Sequence, residues 1–581
     1  MPERSEFGAR PVVEIDGTAV REDLAAHLTG VIVDTSLHLP DMVELRLRDD
    51  TRDILRRLAV HVGSTLVVTA TRSGDGQQCE LVRAEVTALE HDFDGSGAQA
   101  VIRGYDASHR LCRGRRTVSY NDVTDADIVR TVARRAGLDV GRVDATANTH
   151  EHVAQVNATD WDFLTARARE TGYEVAVVAG RLEWRRPARA DGAPGPADAV
   201  DARLDRLQLS LGSNLLQLRP RVTAAAQVAD VEVRGWDPVQ KAAVVGRARA
   251  ASDGAQSGLG PSELAGTFGS ERYVAVDRPL ASQPEADAAA EALAQTLASV
   301  HAEAEGVASG DPRLVAGAAV SIGLAGWPYD GRYTLTSARH VYDEQGYRTV
   351  FAVSGRQERS LLGLSSAGAT NASHRAGGPP VHGVVVALVT DVNDPDSMGR
   401  VKLSFPWLAE DYESWWVRVA QLGAGDQRGA VWLPEVNDEV LVAFEHGDTR
   451  RPYVIGSLYN GVDLPRLGDG LVDAGNGAVK RRGFVSRLGH RLVFLDDDAK
   501  SGIAMVSGDD SLKIAMKQSD TTISIKSDGT VQITGSRGVE VTSDGAISVS
   551  AGTTLELKGS GGVKIDGGPQ VEVTGGVIKL N

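Results

Sequence analysis

The sequence predicts a mainly β protein: a first part that alternates strands with a few helices, then a small closed barrel, then a triple-stranded β-helix shared by three intertwined chains. Three observations carry this reading. Glycine is abundant, 64 of 581 residues with no collagen-like period, which calls for many tight turns. Residues 381–460 break into about five short strands separated by turn residues. From Ile523 onward, pairs of apolar residues return every eight positions. A chain of 581 residues is also too long for a single core, so several domains are expected.

The bulk composition, 42% hydrophobic and 24% charged, is that of an ordinary globular chain. A formal charge of −16 argues against general affinity for nucleic acid or anionic membranes. The two cysteines, Cys79 and Cys112, lie in no metal-ligand spacing and cannot build a disulfide framework, which fits a reducing cytoplasm. The opening stretch MPERSEFGARPVVEIDG lacks the apolar segment of a signal peptide, and no 18-residue apolar run occurs. The expectation is assembly in the cytoplasm and exit by a route other than a signal peptide.

Residues 1–361 alternate strands with a few helices. One helix is expected over about 125–136, where Thr124 precedes it, Ile128, Val129 and Val132 share a face, and Gly137 stops it. A second starts at a Thr159-x-x-Asp162 capping box, buries Trp161 and Leu164, and ends at Gly172. An alanine-rich helix over about 284–303 begins at Pro284. Pro187–Val200, Ala251–Ser262 and Leu362–Pro380 are rich in small and turn-forming residues and read as linkers.

Residues 381–461 contain VHGVVVALVT, the turn Asn393-Asp394-Pro395-Asp396, then GRVKLSFPWL, SWWVRVAQ, GAVWLPEVNDEVLVAFE and RPYVIGSLYNG. Five strands in so short a span suggest a barrel of the OB type. Such barrels often bind nucleic acid, and Trp407, Trp415, Trp416 and Trp432 could supply stacking. Yet residues 381–460 hold 12 acidic against six basic side chains, which repels phosphate. The tryptophans are therefore expected to pack in the barrel core and at contacts between chains.

The octad pairs are Ile523/Ile525, Val531/Ile533, Val539/Val541, Ile547/Val549, Leu555/Leu557, Val563/Ile565 and Val571/Val573. An i, i+2 pair faces one side of a short strand. Glycines and Asp-Gly steps such as Asp528-Gly529 and Asp544-Gly545 turn the chain between pairs. Two inward side chains per octad are too few for one chain to enclose a core. Three chains, each supplying one face of a prism, bury every pair, and one layer per octad gives a needle of roughly 34 Å. No aromatic follows Phe494, as a core this narrow requires. The register slips at the end, where Val577, Ile578 and Leu580 fall out of phase, which fits either a blunt face that something caps or simple termination of the repeats.

The stretches DPDSMGRVKLSFPW, WWVRVAQLGAG, LPEVNDEVLVAFEHGD and RPYVIGSLYN closely resemble the OB domain of VgrG and phage baseplate spike proteins. RRGFVSRLGHRLVFLDDD resembles the passage from barrel to needle in the same spikes. VIRGYDASHRLCRGRRTVSYNDVTDADIVRTVARRAGL and QVNATDWDFLTARARETGYEV resemble the phage late control protein D family, which supplies the baseplate hub. The resemblance implies a hub of β-barrel-like subdomains with a few helices over 1–361, a linker at 362–380, an OB spike domain at 381–461, a transition at 462–522 and the octad needle at 523–581. It further implies a homotrimer that docks a hexameric inner tube, sits among baseplate proteins, carries a PAAR-type tip protein on Val577–Asn581, and takes effector cargo. The implied function is a structural hub and spike that punctures a target envelope and is ejected or released with its particle. The opening pattern PVVEIDGTAV…DMVELRLRDD looks more like extracellular, phage-tail-derived systems than a type VI VgrG or a phage tail.

No catalytic residue, cofactor or metal ligand is expected. Asp92-x-Asp94-Gly95 begins like a calcium loop, but Arg103 stands where its last glutamate belongs, so a hairpin turn is expected. His150-Glu151-His152 lacks the helical spacing of a zinc protease and reads as an exposed loop. Asp496–Asp498 reads as a solvated turn, and no histidine occurs in the last 80 residues to hold a tip ion. About 60 residues between Gly461 and Ile523 are too few for an inserted peptidoglycan hydrolase. A receptor-binding fibre would end in an aromatic-rich head rather than bare octads.

Overall fold

Runs such as Leu28–Ser36 (LTGVIVDTS) alternate inward and outward residues, so each forms a strand with one face in a core. The computed structural model describes residues 11–356 and 381–580 apart from 73–75, 96, 147, 197–204, 206, 270, 469 and 498. The expected linker Leu362–Pro380 and the terminal Asn581 thus lie outside the described residues. Two units divide the chain after Asn460.

In the first unit, an eleven-stranded sheet joins both ends of the hub. Its seam is the antiparallel pairing of Leu28–Ser36 with Ser337–Asp343, in register Val33 to His340. One core lies under the N-terminal strands, around Val31, Leu45, Leu66 and Ile102. Another lies under the later ones, around Leu209, Leu314, Ile322 and Phe351. The strands Gln78–Asp94 and Gly97–Asp106 pair directly through Asp94 and Gly97, so the calcium-like sequence is a hairpin turn.

Helix α1 (Asp125–Ala136) is closed at its start by a complete capping box between Thr124 and Asp127, and at its end by Gly137 at φ 66°. Helix α2 (Asp160–Thr171) is capped by Thr159 alone and ends at Gly172 with φ 75°. Trp161, Leu164, Ile128 and Val132 pack together with Phe163 and Trp184 in the core of this helical subdomain. The alanine-rich helix α3 (Gln283–Ala298) stops about five residues short of the expected end, because Ser299–His301 tighten into a 3-10 turn and Ala302–Ser309 enters the large sheet. Its alanines let it lie directly on the strands Asp230–Asp237 and Ala242–Arg249. A Cβ on Gly246 would stand 2.0 Å from the Ala286 carbonyl oxygen.

Two of the expected linkers are built structure. Ala251–Ser262 supplies the strand Ala255–Gln256 and the start of the helical turn Pro261–Thr267. Within Pro187–Val200, Ala190 is fully buried and donates its N–H to the Asp253 carbonyl. In both, small residues serve close packing rather than freedom of the chain.

The small barrel orders its strands as Lys402–Ser404, Val384–Asp391, Glu439–Phe444, Pro452–Ser457 and Arg418–Val419. A bridge between Val401 and Val417 joins the two edges and closes it. Val389, Leu403, Phe405, Tyr412, Val440 and Val442 fill it. The tryptophans do not: Trp407 and Trp432 are exposed, because a barrel of five short strands has no room for an indole.

The second unit carries a five-stranded antiparallel meander, Arg481–Val485, Arg491–Leu495, Gly502–Val506, Leu512–Lys517 and Thr522–Ser527. The first octad pair, Ile523 and Ile525, is therefore part of this sheet, which differs from the expected needle boundary at 523. From 528 to 580 no ladder forms within the chain among the described residues.

Two outcomes follow. Gly246→Val forces α3 off its sheet and costs about 1–3 kcal/mol, read as a lower hub transition by calorimetry. His340 is fully buried, donates or accepts at the Tyr347 hydroxyl (2.8 Å), and is pushed down to about 4 by burial. The neutral ring is favoured in the fold, so its contribution is complete above about 6.5 and is lost as pH falls through 4. His340→Gln flattens that acid limb in melts across this window.

Candidate functional site: an uncovered apolar face

The meander separates its side chains by face. Across its register Phe494, Ile503, Met516 and Ile523 stand opposite one another, and so do Phe484, Leu492, Met505, Ile514 and Ile525. The intervening row on the other face is Gly483, Val493, Ala504, Ala515 and Ser524. One face thus gathers nine large apolar residues, and eight of them are exposed within the chain. Contiguous apolar surface of this kind marks an interface.

The same face leads into the octads, whose pairs were expected to be buried only between chains. All fourteen residues of the pairs are exposed in the single chain. From the second pair onward the later member is the barer one. Ile533, Val541, Val549, Leu557, Ile565 and Val573 are 67–73% exposed, against 51–58% for Val531, Val539, Ile547, Leu555, Val563 and Val571. The earlier member lies against the turn before it: a Cβ on Gly559 would stand 3.4 Å from Val563 Cγ2. The later member has no such neighbour, and Val541, Val549, Leu557, Ile565 and Val573 are left bare because one extended strand brings no second layer. Among the described residues, none of the chain's own elements covers the pairs, whose core was expected only between three chains. Val577, Ile578 and Leu580 are exposed beyond the pairs.

Sequence reading missed the meander, although its i, i+2 signature is present in Leu492/Phe494, Ile503/Met505 and Ile514/Met516. Those pairs step by eleven residues, so they fall outside an eight-residue period.

Within the first unit, the strand Thr149–Ala158 couples hub to barrel. Its Ala154 and Val156 belong to the barrel core. His150 and His152 lie on this strand rather than in an exposed loop. His150 Nε2 is 3.0 Å from Asp125 Oδ2, and Arg167 bridges Asp125 (2.7 Å) and Glu170 (3.3 Å). Arg450 of the barrel then reaches Glu170 at 3.3 Å and the fully buried Asp448 at 2.8 Å. Burial raises the Glu170 carboxyl, but the Arg450 and Arg167 charges outweigh it and hold the group below its ordinary value. His152 stacks on Trp415 at 5.8 Å, and burial pushes it down to about 4. These groups line a cavity of about 1500 Å³ between barrel and hub. This chain of ion pairs clamps the helical subdomain to the barrel.

The barrel, residues 385–459, matches the type VI secretion system/phage-baseplate injector OB domain. The chain is VgrG-like. It is 31% identical over 149 residues to the type VI secretion system spike protein VgrG1a of Pseudomonas aeruginosa, 24% of this chain and 23% of that protein. It is 39% identical over 90 residues to the spike protein VgrG3 of Vibrio cholerae, 14% of this chain and 9% of that one. The matches thus span less than a quarter of those relatives' length. Residues 84–344 match the Alg8 N-terminal domain, a span that takes in both quoted hub stretches. Among solved structures, a chain of the half-lidded Francisella PdpA–VgrG complex superposes with a TM-score of 0.52 over 90% of this VgrG-like chain and 88% of that one. At 7% identity that is a likeness of fold alone.

Among the described residues no group of three or more His, Cys, Asp or Glu side chains is arranged to hold a metal ion. Asp496 and Asp497 pair with Arg482 and Lys480. No helix among the described residues is long and apolar enough to cross a membrane.

The clamp gives a direct outcome. Arg450→Met leaves Glu170 and the buried Asp448 without their barrel-side cation and costs about 3 kcal/mol, the lower end for breaking a buried pair because about a fifth of Arg450 and of Glu170 reaches solvent. Arg450→Met with Glu170→Leu recovers part of that loss, measured as a double-mutant cycle on the thermal transition of the full chain.

Proposed function

We propose that this chain is the structural hub and spike of a contractile injection apparatus, working as a homotrimer without catalysis. Three meanders turn their apolar faces toward a common axis, and three sets of octads continue that core as a triple-stranded β-helix needle. In that arrangement Ile533, Val541, Val549, Leu557, Ile565 and Val573, the barer members of the octad pairs in a lone chain, are covered by the neighbouring chains. The observation that supports this most is the uncovered row Phe484 to Ile525 running directly into the octad pairs. At about 25 cal/mol per Å² of apolar surface, leaving such a face in water is strongly unfavourable. The hub docks a hexameric inner tube among baseplate proteins, and Val577, Ile578, Lys579 and Leu580 meet a PAAR-type tip protein. Driven through a target envelope, the spike opens a path for effector cargo. It is assembled in the bacterial cytoplasm and leaves with its particle.

The pattern of the opening strands favours an extracellular system. A type VI or phage-baseplate setting is the second reading, favoured by the similarity to VgrG1a and VgrG3.

Ile514→Glu with Ile525→Glu places two charges per chain on this face. In a lone chain both positions are solvated and the change is neutral. In a trimer each buried charge costs several kcal/mol. Sedimentation velocity of the full-length variant is expected to show a monomer that keeps its hub transition. A variant that remains trimeric would remove this face from the interface.

A further inference from the structure

A cleft of about 520 Å³ opens between the N-terminal β subdomain and the helical subdomain. Four guanidinium groups face it: Arg110 and Arg113 from the turn after Gly97–Asp106, Arg116 from the start of the next strand, and Arg135 from the last turn of α1. Two carboxylates share it. Glu85 takes Arg110 Nε at 3.1 Å and His109 Nε2 at 2.7 Å. Asp160 takes Arg135 Nη2 at 2.5 Å and lies 3.3 Å from Arg116 Nε.

Four positive charges against two negative leave a surplus of two. No carboxylate among the described residues pairs with Arg113. The Nε–H groups of Arg116 and Arg135 are buried without a hydrogen-bond acceptor. Buried donors left unmade are costly, and guanidinium forks match oxyanions in two-point geometry. In a chain whose net charge is −16, an open cleft with two uncompensated positive charges is not a general property of the surface.

We infer that this cleft is a binding site for a phosphate-class dianion, held by Arg113, Arg116 and Arg135. A doubly charged oxyanion neutralises the surplus, supplies acceptors to the two orphaned Nε–H groups, and ties the helical subdomain to the first β subdomain. The charge stays local, which suits a small anion rather than a polymer.

Calorimetric titration of the full-length protein with inorganic phosphate and with pyrophosphate, at constant ionic strength, tests this; malonate serves as the dicarboxylate arm. Saturable binding of phosphate or pyrophosphate is expected, weakened by about tenfold or more in Arg113→Gln, which removes one charged hydrogen-bond donor. Arg115→Gln, the same charge change two positions away and outside the cleft, is expected to change affinity less than about twofold. The inference fails if neither phosphate ligand saturates by about 10 mM. It fails equally if malonate alone binds, or if the two variants weaken binding equally. Circular dichroism melts of both variants confirm that the fold is retained.

Discussion

Apolar side chains on one face of a single sheet layer stay in water unless something covers them, and in the second unit the chain supplies no second layer among its described residues. Its strands Arg481–Val485 through Thr522–Ser527 use small residues on one side, Gly483, Ala504, Ala515 and Ser524, and large apolar ones on the other. Beyond Ser527 the octads have no ladder partner within the chain either. In the proposed trimer each chain brings the layer that its neighbours lack, so one arrangement meets both shortages.

Within the first unit, hub and barrel are joined in two ways. The strand Thr149–Ala158 places Ala154 and Val156 in the barrel core, and the ion pairs from His150 through Asp125, Arg167, Glu170 and Arg450 to Asp448 cross the same junction. Charged networks of this kind are poor sources of net stability but costly to break one partner at a time. They fix how two domains sit rather than how firmly each is folded. The single sheet across the hub, sealed where His340 lies opposite Val33, does the same for the two hub halves.

Local signals were legible in the sequence. Thr124 and Gly137 bound α1, and Thr159 and Gly172 bound α2, because capping is decided within one turn of helix. The barrel strands and the hairpin at Asp94–Gly97 were equally plain. What escaped depends on distant partners. His150 and His152 read as loop residues until Asp125 and Trp415 arrive from elsewhere in the chain. Ala251–Ser262 reads as a linker because small residues serve both loose chain and close packing. Trp407 and Trp432 read as core residues by size, yet size excludes them from so small a barrel. The octad period is plain in the sequence, but what covers Val541 or Ile565 is not, because no residue among those described in the same chain does so. The meander was hidden by its eleven-residue step, and the arginine cleft by drawing its six charged groups from positions between Glu85 and Asp160.

Native mass spectrometry of the intact protein, diluted to nanomolar concentration, addresses the shared core most directly. A trimer mass of three times 61.4 kDa, about 184 kDa, persisting at that dilution is the expected result. A single species at 61.4 kDa, with the face from Phe484 to Ile525 still exposed to solvent, would contradict it.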